Sequence, residues 1–438
     1  MLDDKQFIII PSSRKDKNIV NVFPNDRQRE LVLSCDSMLV YEKKLYVCYN
    51  EDCTAVLIGD AWQVHPAKDS SENIIKTFSG KTTIEDVYHE EKTWCGHYVL
   101  IVNDWLFLDF CGTLGVFYSD DIRLSSSYRI LCEQIGTEVI YPDTLGEGLL
   151  NFVPGPLTPS DLVKRLMPSE IINIKMGERC FRPLNPDGVW NAENDRKRIL
   201  EFETFFTCSL KNMAKHFPDS VFWLALTGGK DSRTLMALLE SSGIDYKAFT
   251  CWHEGISEGD LMLPPKLAEA VHVPYKFIER RTDNYSSSRS EEYRRHTGGM
   301  ADDADKPMYE YGQYQELDPN HQIVLLRSGI WEHSCSKHEL YHQSFCQWQK
   351  LREGDTVNMD INIWDLLYIE QRLGAWLSSI EQGFDMMEGI VSVQCCNSRL
   401  FFSILTGFSD KEKKGKNIRK ALSSRYALHS ANIDIKAI

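Results

Sequence analysis

Residues Thr227-Gly228-Gly229-Lys230-Asp231-Ser232 set two glycines, an ammonium, a carboxylate and two hydroxyls side by side. Paired glycines let the backbone approach a ligand closely, and amide N–H groups at a helix start point at anionic oxygens. Asp231 does not suit phosphate alone, because a bare carboxylate repels it. It suits phosphate that arrives with Mg²⁺, a cation that takes oxygen ligands and bridges to phosphates. The segment therefore calls for a nucleotide together with its metal. Two familiar glycine loops are absent: GxxxxGK[ST] needs a longer run before its lysine, and GxGxxG needs a third glycine. The plainer reading is an ordinary strand-to-helix turn capped by Asp231.

A loop of this kind must sit between a strand and a helix. The preceding "VFWLAL" (221–226) has the length and continuous hydrophobicity of a strand buried on both faces. The following "SRTLMALLE" carries Leu235, Met236, Leu238 and Leu239 at helical spacing. From about residue 195, helical stretches such as "RKRILEFETFFTCSLKNMAKHF" alternate with the strands "SVFWLAL", "DYKAFTCW" and "HQIVLLRS", which predicts a parallel α/β sheet. The stretch 362–405 reads as mainly helical. Up to about residue 185, short strands with turn residues between them predict antiparallel sheets; "FIIIP", "SMLVYEKKLYVCYN", "TAVLIGDAWQV" and "HYVLIVNDWLFLDF" are among them. "PLNPDGVWNAENDRK" reads as the linker.

The bulk properties narrow the function. At 438 residues the chain exceeds one comfortable core, so two domains are expected. Lys plus Arg number 49 against 63 Asp plus Glu, a formal net charge of -14, which argues against general nucleic-acid or anionic-membrane binding. No apolar run is long enough to span a bilayer. "MLDDKQFIII" places acids where a secretory signal needs bases, so a cytoplasmic location is expected. The 13 cysteines form no CxxC and predict reduced thiols, not a zinc knuckle or a disulfide framework.

The glycine segment resembles the SGGxDS loop of the N-type ATP pyrophosphatases, with Thr227 keeping the hydroxyl of the first serine. Further segments, in order, resemble the asparagine synthetase B family, which includes β-lactam synthetases and lasso-peptide cyclases. "LDFCGTLGVFYSDDIRLSSSYRIL" is similar to its Asp strand, Gly turn and Ser-rich stretch, and "YPDTLGEGLLNFVPGPLTPSD" to its linker. "AFTCWHEGISEGDLMLPPKLAEAVHVPYKFI" is similar to the second strand and helix beside which adenine lies, the place of Thr250. "LLRSGIWEHS", "YIEQRLGAWLSS" and "GKNIRKAL" are similar to an acidic strand end, an E-x-R helix and a K-x-[LI]-R segment.

The resemblance implies a two-domain α/β protein. Residues 1–190 would form a degenerate Ntn-hydrolase-like αββα domain, and 191–438 a parallel-sheet ATP-pyrophosphatase synthetase domain. It implies that Thr227, Gly228, Gly229, Lys230, Asp231, Ser232 and Thr250 bind ATP, that Asp231 and Glu332 hold Mg²⁺, and that Lys416, Glu370 and Arg419 are catalytic. Two departures stand out. The family's glutaminases use a cysteine next to the initiator Met, and Leu2 stands there, so no glutaminase activity is expected. "SGIWE" (328–332) replaces a pattern nearer SGxGxDE, leaving Glu332 to take the metal-binding role and Ile330 where some members carry a functional side chain. The expected activity is an ATP-dependent ligase that adenylates a carboxylate, releases pyrophosphate and lets an amine displace AMP. The substrates would be a small-molecule or peptide carboxylate and an amine. Intramolecular closure to a β-lactam or lasso macrolactam, and a non-catalytic nucleotide-binding relative, are the alternatives; a homodimer stays open.

Overall fold

The computed structural model describes residues 5–11, 22–65, 74–142, 145, 151–184, 194–252, 255–279, 291, 293–294, 297–301, 314, 316–329, 348–350, 352, 362–415 and 417–426. The first half runs β1 (Phe7–Pro11), β2 (Gln28–Val32), β3 (Ser37–Glu42), β4 (Val47–Tyr49), β5 (Ala55–Gln63) and α1 (Ile84–Glu91). It continues through β6 (Trp94–Val102), β7 (Trp105–Leu108), β8 (Phe117–Ser119), β9 (Leu124–Ser125) and α2 (Tyr128–Ile135), and closes with β10 (Val163–Arg165), β11 (Glu170–Asn173) and β12 (Arg179–Phe181). These strands form two six-stranded sheets, β10-β8-β9-β1-β3-β2 and β12-β11-β7-β6-β5-β4, with every pairing antiparallel.

Burial on both faces explains why β1 is apolar throughout. Phe7 and Ile9 point into the layer between the sheets, where they meet Val56, Ile58, Val99 and Ile101. Ile8 and Ile10 point the other way, under Ile130 of α2. On the second sheet the outward residues Leu57 and Leu100 pack against Val87 and Tyr88 of α1. The layers therefore run helix, sheet, sheet, helix.

The second half opens on α3 (Asp195–His216), whose Asn194 cap accepts the Lys197 N–H at 3.0 Å. It continues with β13 (Ser220–Ala225), α4 (Lys230–Ser242), β14 (Lys247–Cys251), α5 (Glu258–Ala270), β15 (Tyr275–Ile278) and β16 (Gln322–Arg327). Then come α6 (Ile363–Leu367), a π-helical segment (Tyr368–Leu377), α7 (Ser378–Asp385), β17 (Ile390–Gln394), α8 (Arg399–Thr406), α9 (Asp410–Gly415) and α10 (Asn417–Tyr426). The five strands make a parallel sheet in the order β15-β14-β13-β16-β17. The chain winds outward from β13 to β15 and then returns to the opposite side of β13. Open α/β sheets bind ligands outside the carboxyl ends of the strands at such a reversal. β17 lies inside the stretch read as mainly helical. Its sequence, IVSVQ, is buried along its whole length and too short for periodicity to separate strand from buried helix.

The halves meet on a joint in which charged groups take a large part. Arg182 and Arg399 both pair with buried Glu91, the latter through Nε at 3.1 Å. Asn397 donates to buried Asp109 at 2.9 Å. Arg165 donates to the carbonyls of Gly374 and Ala375, at 3.0 and 2.6 Å, in the π-helical segment. The described cysteines are free thiols, and no described helix is long and apolar enough to cross a membrane.

Candidate active site

β13 ends at Ala225 and α4 begins at Lys230, so Thr227, Gly228 and Gly229 form the turn between them at the carboxyl edge of the sheet. Gly229 is the N-cap of α4 and supplies no side-chain cap, which leaves the helix start without the usual hydroxyl or carboxylate partner. Gly228 packs so tightly on α5 that a Cβ would come 2.7 Å from the Gly259 carbonyl oxygen and 2.8 Å from its carbon. Only glycine fits there. The Gly228 N–H donates to Asp260 Oδ1 at 2.6 Å, and Ser257 Oγ donates to Asp260 Oδ2 at 2.8 Å. Asp260 therefore clamps the loop to the start of α5.

Within the loop, the Thr227 N–H donates to Ser232 Oγ at 3.1 Å, and the Gly229 N–H donates to Thr227 Oγ1 at 3.1 Å. Buried Ser232 thus shapes the turn from inside. Buried Thr250 likewise donates to the Leu226 carbonyl at 2.7 Å, tying β14 to the end of β13. Thr227, Gly229 and Lys230 are exposed and, with half-exposed Asp231, are the part of the segment that a ligand can reach.

Asp231 and Arg419 form an ion pair although 188 residues separate them. α10 lies along α4, with Ile418 and Leu422 buried in the core and Ser423 Oγ 3.4 Å from Thr234 Oγ1. Arg419 is 5% exposed and Asp231 34%, so the carboxylate is the half of the pair that solvent reaches. Burial pushes the Arg419 guanidinium below its ordinary pKa, and an anion beside it favours the charged form. A glycine turn, an uncapped helix start, a half-exposed carboxylate and a buried arginine together fit a phosphate group that brings a cation. Among the described residues no group of three or more His, Cys, Asp or Glu side chains is placed to hold a metal on its own. Asp231 would be one protein ligand to a cation otherwise held by phosphate and water oxygens.

Glu370 pairs with Arg352. It is fully buried in the π-helical segment, where Trp348 Nε1 donates to it at 2.6 Å and Arg352 donates from Nε at 3.0 Å and Nη2 at 2.6 Å. The Ser169 hydroxyl is a fourth donor. Four donors engage both oxygens of the carboxylate. Arg352 also reaches Glu170 at 2.9 Å, so this cluster fastens the two halves together. Burial works against the Arg352 charge, yet Glu370 and Glu170 raise its pKa. These contacts place Glu370 in the joint between the halves. Glu332, Ile330, Lys416 and Leu2 lie outside the described residues. On the β16 side of the crevice, the Gly329 N–H donates to Gln394 Oε1 at 3.0 Å, and Gln394 donates to buried Glu381 at 2.7 Å.

Asp260 was not among the predicted site residues. Its signal was present: "SEGD" (257–260) is a Ser-x-x-Asp capping pattern opening a helix, and Ser257 does accept the Asp260 N–H at 3.0 Å. What no local pattern contains is the loop that its carboxylate reaches.

No family model matches the chain, and no curated protein matches it. Among solved structures, NMN synthetase from Francisella tularensis is similar at 13% identity over 55% of this chain and 93% of that one, with a TM-score of 0.23. Glutamine-dependent NAD+ synthetase from Acinetobacter baumannii, in complex with ADP, is similar at 12% identity over 66% of this chain, with a TM-score of 0.26. The chain spans 60% of that second structure's length.

Proposed function

We propose that the chain is an ATP-dependent, AMP-forming carbon–nitrogen ligase, with a degenerate glutaminase-like domain (1–190) and an ATP-pyrophosphatase synthetase domain (191–438). The observation that carries the proposal is the glycine turn at the sheet's point of reversal, with Asp231 and Arg419 paired at its rim. The exposed loop residues and the first amides of α4 would hold the phosphates. Asp231 would hold Mg²⁺, with Glu332 as a further ligand, and the metal would offset charge on the phosphate oxygens. A substrate carboxylate attacks the α-phosphorus and pyrophosphate leaves; an amine then attacks the acyl carbon and AMP leaves. Arg419 and Lys416 would stabilise the charge that builds on the bridging oxygen as its bond breaks.

The products test the reading. With MgATP and a panel of carboxylic acids and amines, the protein should release AMP and pyrophosphate, and Asp231→Asn should abolish release. ADP and phosphate as products would show an acyl-phosphate enzyme instead.

A further inference from the structure

A cavity of about 430 Å³ opens between the halves, at the edge of the parallel sheet opposite the glycine loop. Phe217 and Pro218, just before β13, line it, as do Gln322 at the start of β16 and Ser392 in β17. A strand the length of β13 spans roughly 20 Å, so the cavity is separate from the candidate active site.

Four polar contacts cross from one half to the other around it. His97 Nε2 meets Asp385 at 2.8 Å, and His216 Nε2 meets Asp60 at 2.8 Å. Lys44 pairs with Glu388 at 2.9 Å, and Lys5 Nζ donates to the Ile390 carbonyl at 2.8 Å. The charges on the wall do not balance. Asp60 and Asp385 are each committed to a histidine. Lys5 faces a neutral carbonyl, and Lys215 has no ion pair among the described residues. On the same wall, Ser392 Oγ has no hydrogen-bond partner among the described residues and can donate to an anion, whereas Asp385 Oδ2, likewise without one, accepts only and would take a donor elsewhere on the ligand. Buried groups of this kind ordinarily find a partner.

We propose that this cavity binds a small metabolite through an anionic group, a carboxylate or a phosphate, held by Lys5 and Lys215. The volume fits a metabolite-sized ligand, and the surplus positive charge selects an anion. Because its wall comes from both halves, the ligand fastens them together. The inference does not rest on the ligase reading.

Calorimetric titration of the full chain, with inorganic phosphate and succinate as separate probes at fixed ionic strength, tests it. At least one probe should saturate a site that Lys230→Met leaves intact, which separates the cavity from any phosphate held at the glycine loop. Phosphate alone identifies a phosphate site, and succinate alone a carboxylate site. Lys215→Met should weaken that binding about tenfold or more; Lys215 is exposed, so its replacement should leave the thermal midpoint unchanged. Lys5→Met should weaken it likewise, while Lys230→Met, at the distant loop, should not. Saturation by neither probe overturns the proposal. So does binding that survives both Lys215→Met and Lys5→Met, or that disappears with Lys230→Met.

Discussion

Arg419 and Asp231 neutralise each other, but their surroundings differ, and so should their variants. Arg419 is anchored behind the loop by a helix whose Ile418 and Leu422 are core residues, so Arg419→Ala should leave α10 in place. Pyrophosphate release should then fall about a hundredfold, on the scale of one lost transition-state contact. A rate within a factor of two or so of the parent would remove Arg419 from the chemistry. Glu370 should behave in the opposite way. Glu370→Gln keeps the shape but removes the charge facing Arg352, and breaking a buried pair costs about 3–5 kcal/mol. Urea unfolding should register a loss of about that size, while the folded fraction turns over at the parent rate. A general base would show intact stability and lost turnover.

At the scale of the element, the contact between the glycine turn and α5 separates two neighbouring glycines. Gly228→Ala drives a Cβ into the backbone of Gly259, which cannot swing aside, whereas the Cβ of Gly229→Ala would meet only Thr227 Oγ1, at 3.0 Å. The first should cost about 1–3 kcal/mol and open the loop; the second should be much milder. Denaturant midpoints of the two variants, compared side by side, check this. The turn itself was legible because everything that makes it is local: an apolar strand, two glycines, a helix with core residues on one face. β17 was not, since five buried residues have no diagnostic period. The π-helical segment also escaped, because Arg165, which satisfies its carbonyls, comes from the other half of the chain. The Asp231–Arg419 pair was anticipated only as two separate site residues. Their contact is set by how α10 packs on α4, which no spacing encodes.

For the whole molecule, the His97–Asp385 contact makes the joint sensitive to pH. Burial works against the His97 charge, but Asp385, with Asp109 and Glu381 behind it, raises the pKa to about 9. An unfolded histidine titrates near about 6.5. The folded value is the higher one, so the stabilisation is fully present below about pH 6.5 and is lost as pH rises through about 9. The loss amounts to about 3 kcal/mol, on the order of magnitude that such a difference sets. Burial also pushes the Cys95, Cys111 and Cys396 thiols well above their ordinary pKa, which adds its own alkaline loss. The difference between the parent and His97→Gln therefore isolates the histidine: their unfolding free energies should converge between pH 6.5 and 9. Parallel curves would mean that the His97 contact is neutral. The joint also imposes an order on synthesis. The strands of the first half are complete at Phe181, whereas Asp385, Asn397 and Arg399 follow about 200 residues later, so at about 5–20 residues per second they leave the ribosome roughly 10–40 seconds afterwards. Glu91 and Arg182 can already pair with each other inside the first half, with Arg399 joining as the third member. The nascent first half can wait with the Glu91 charge compensated, and Arg399 arrives last to close the seam.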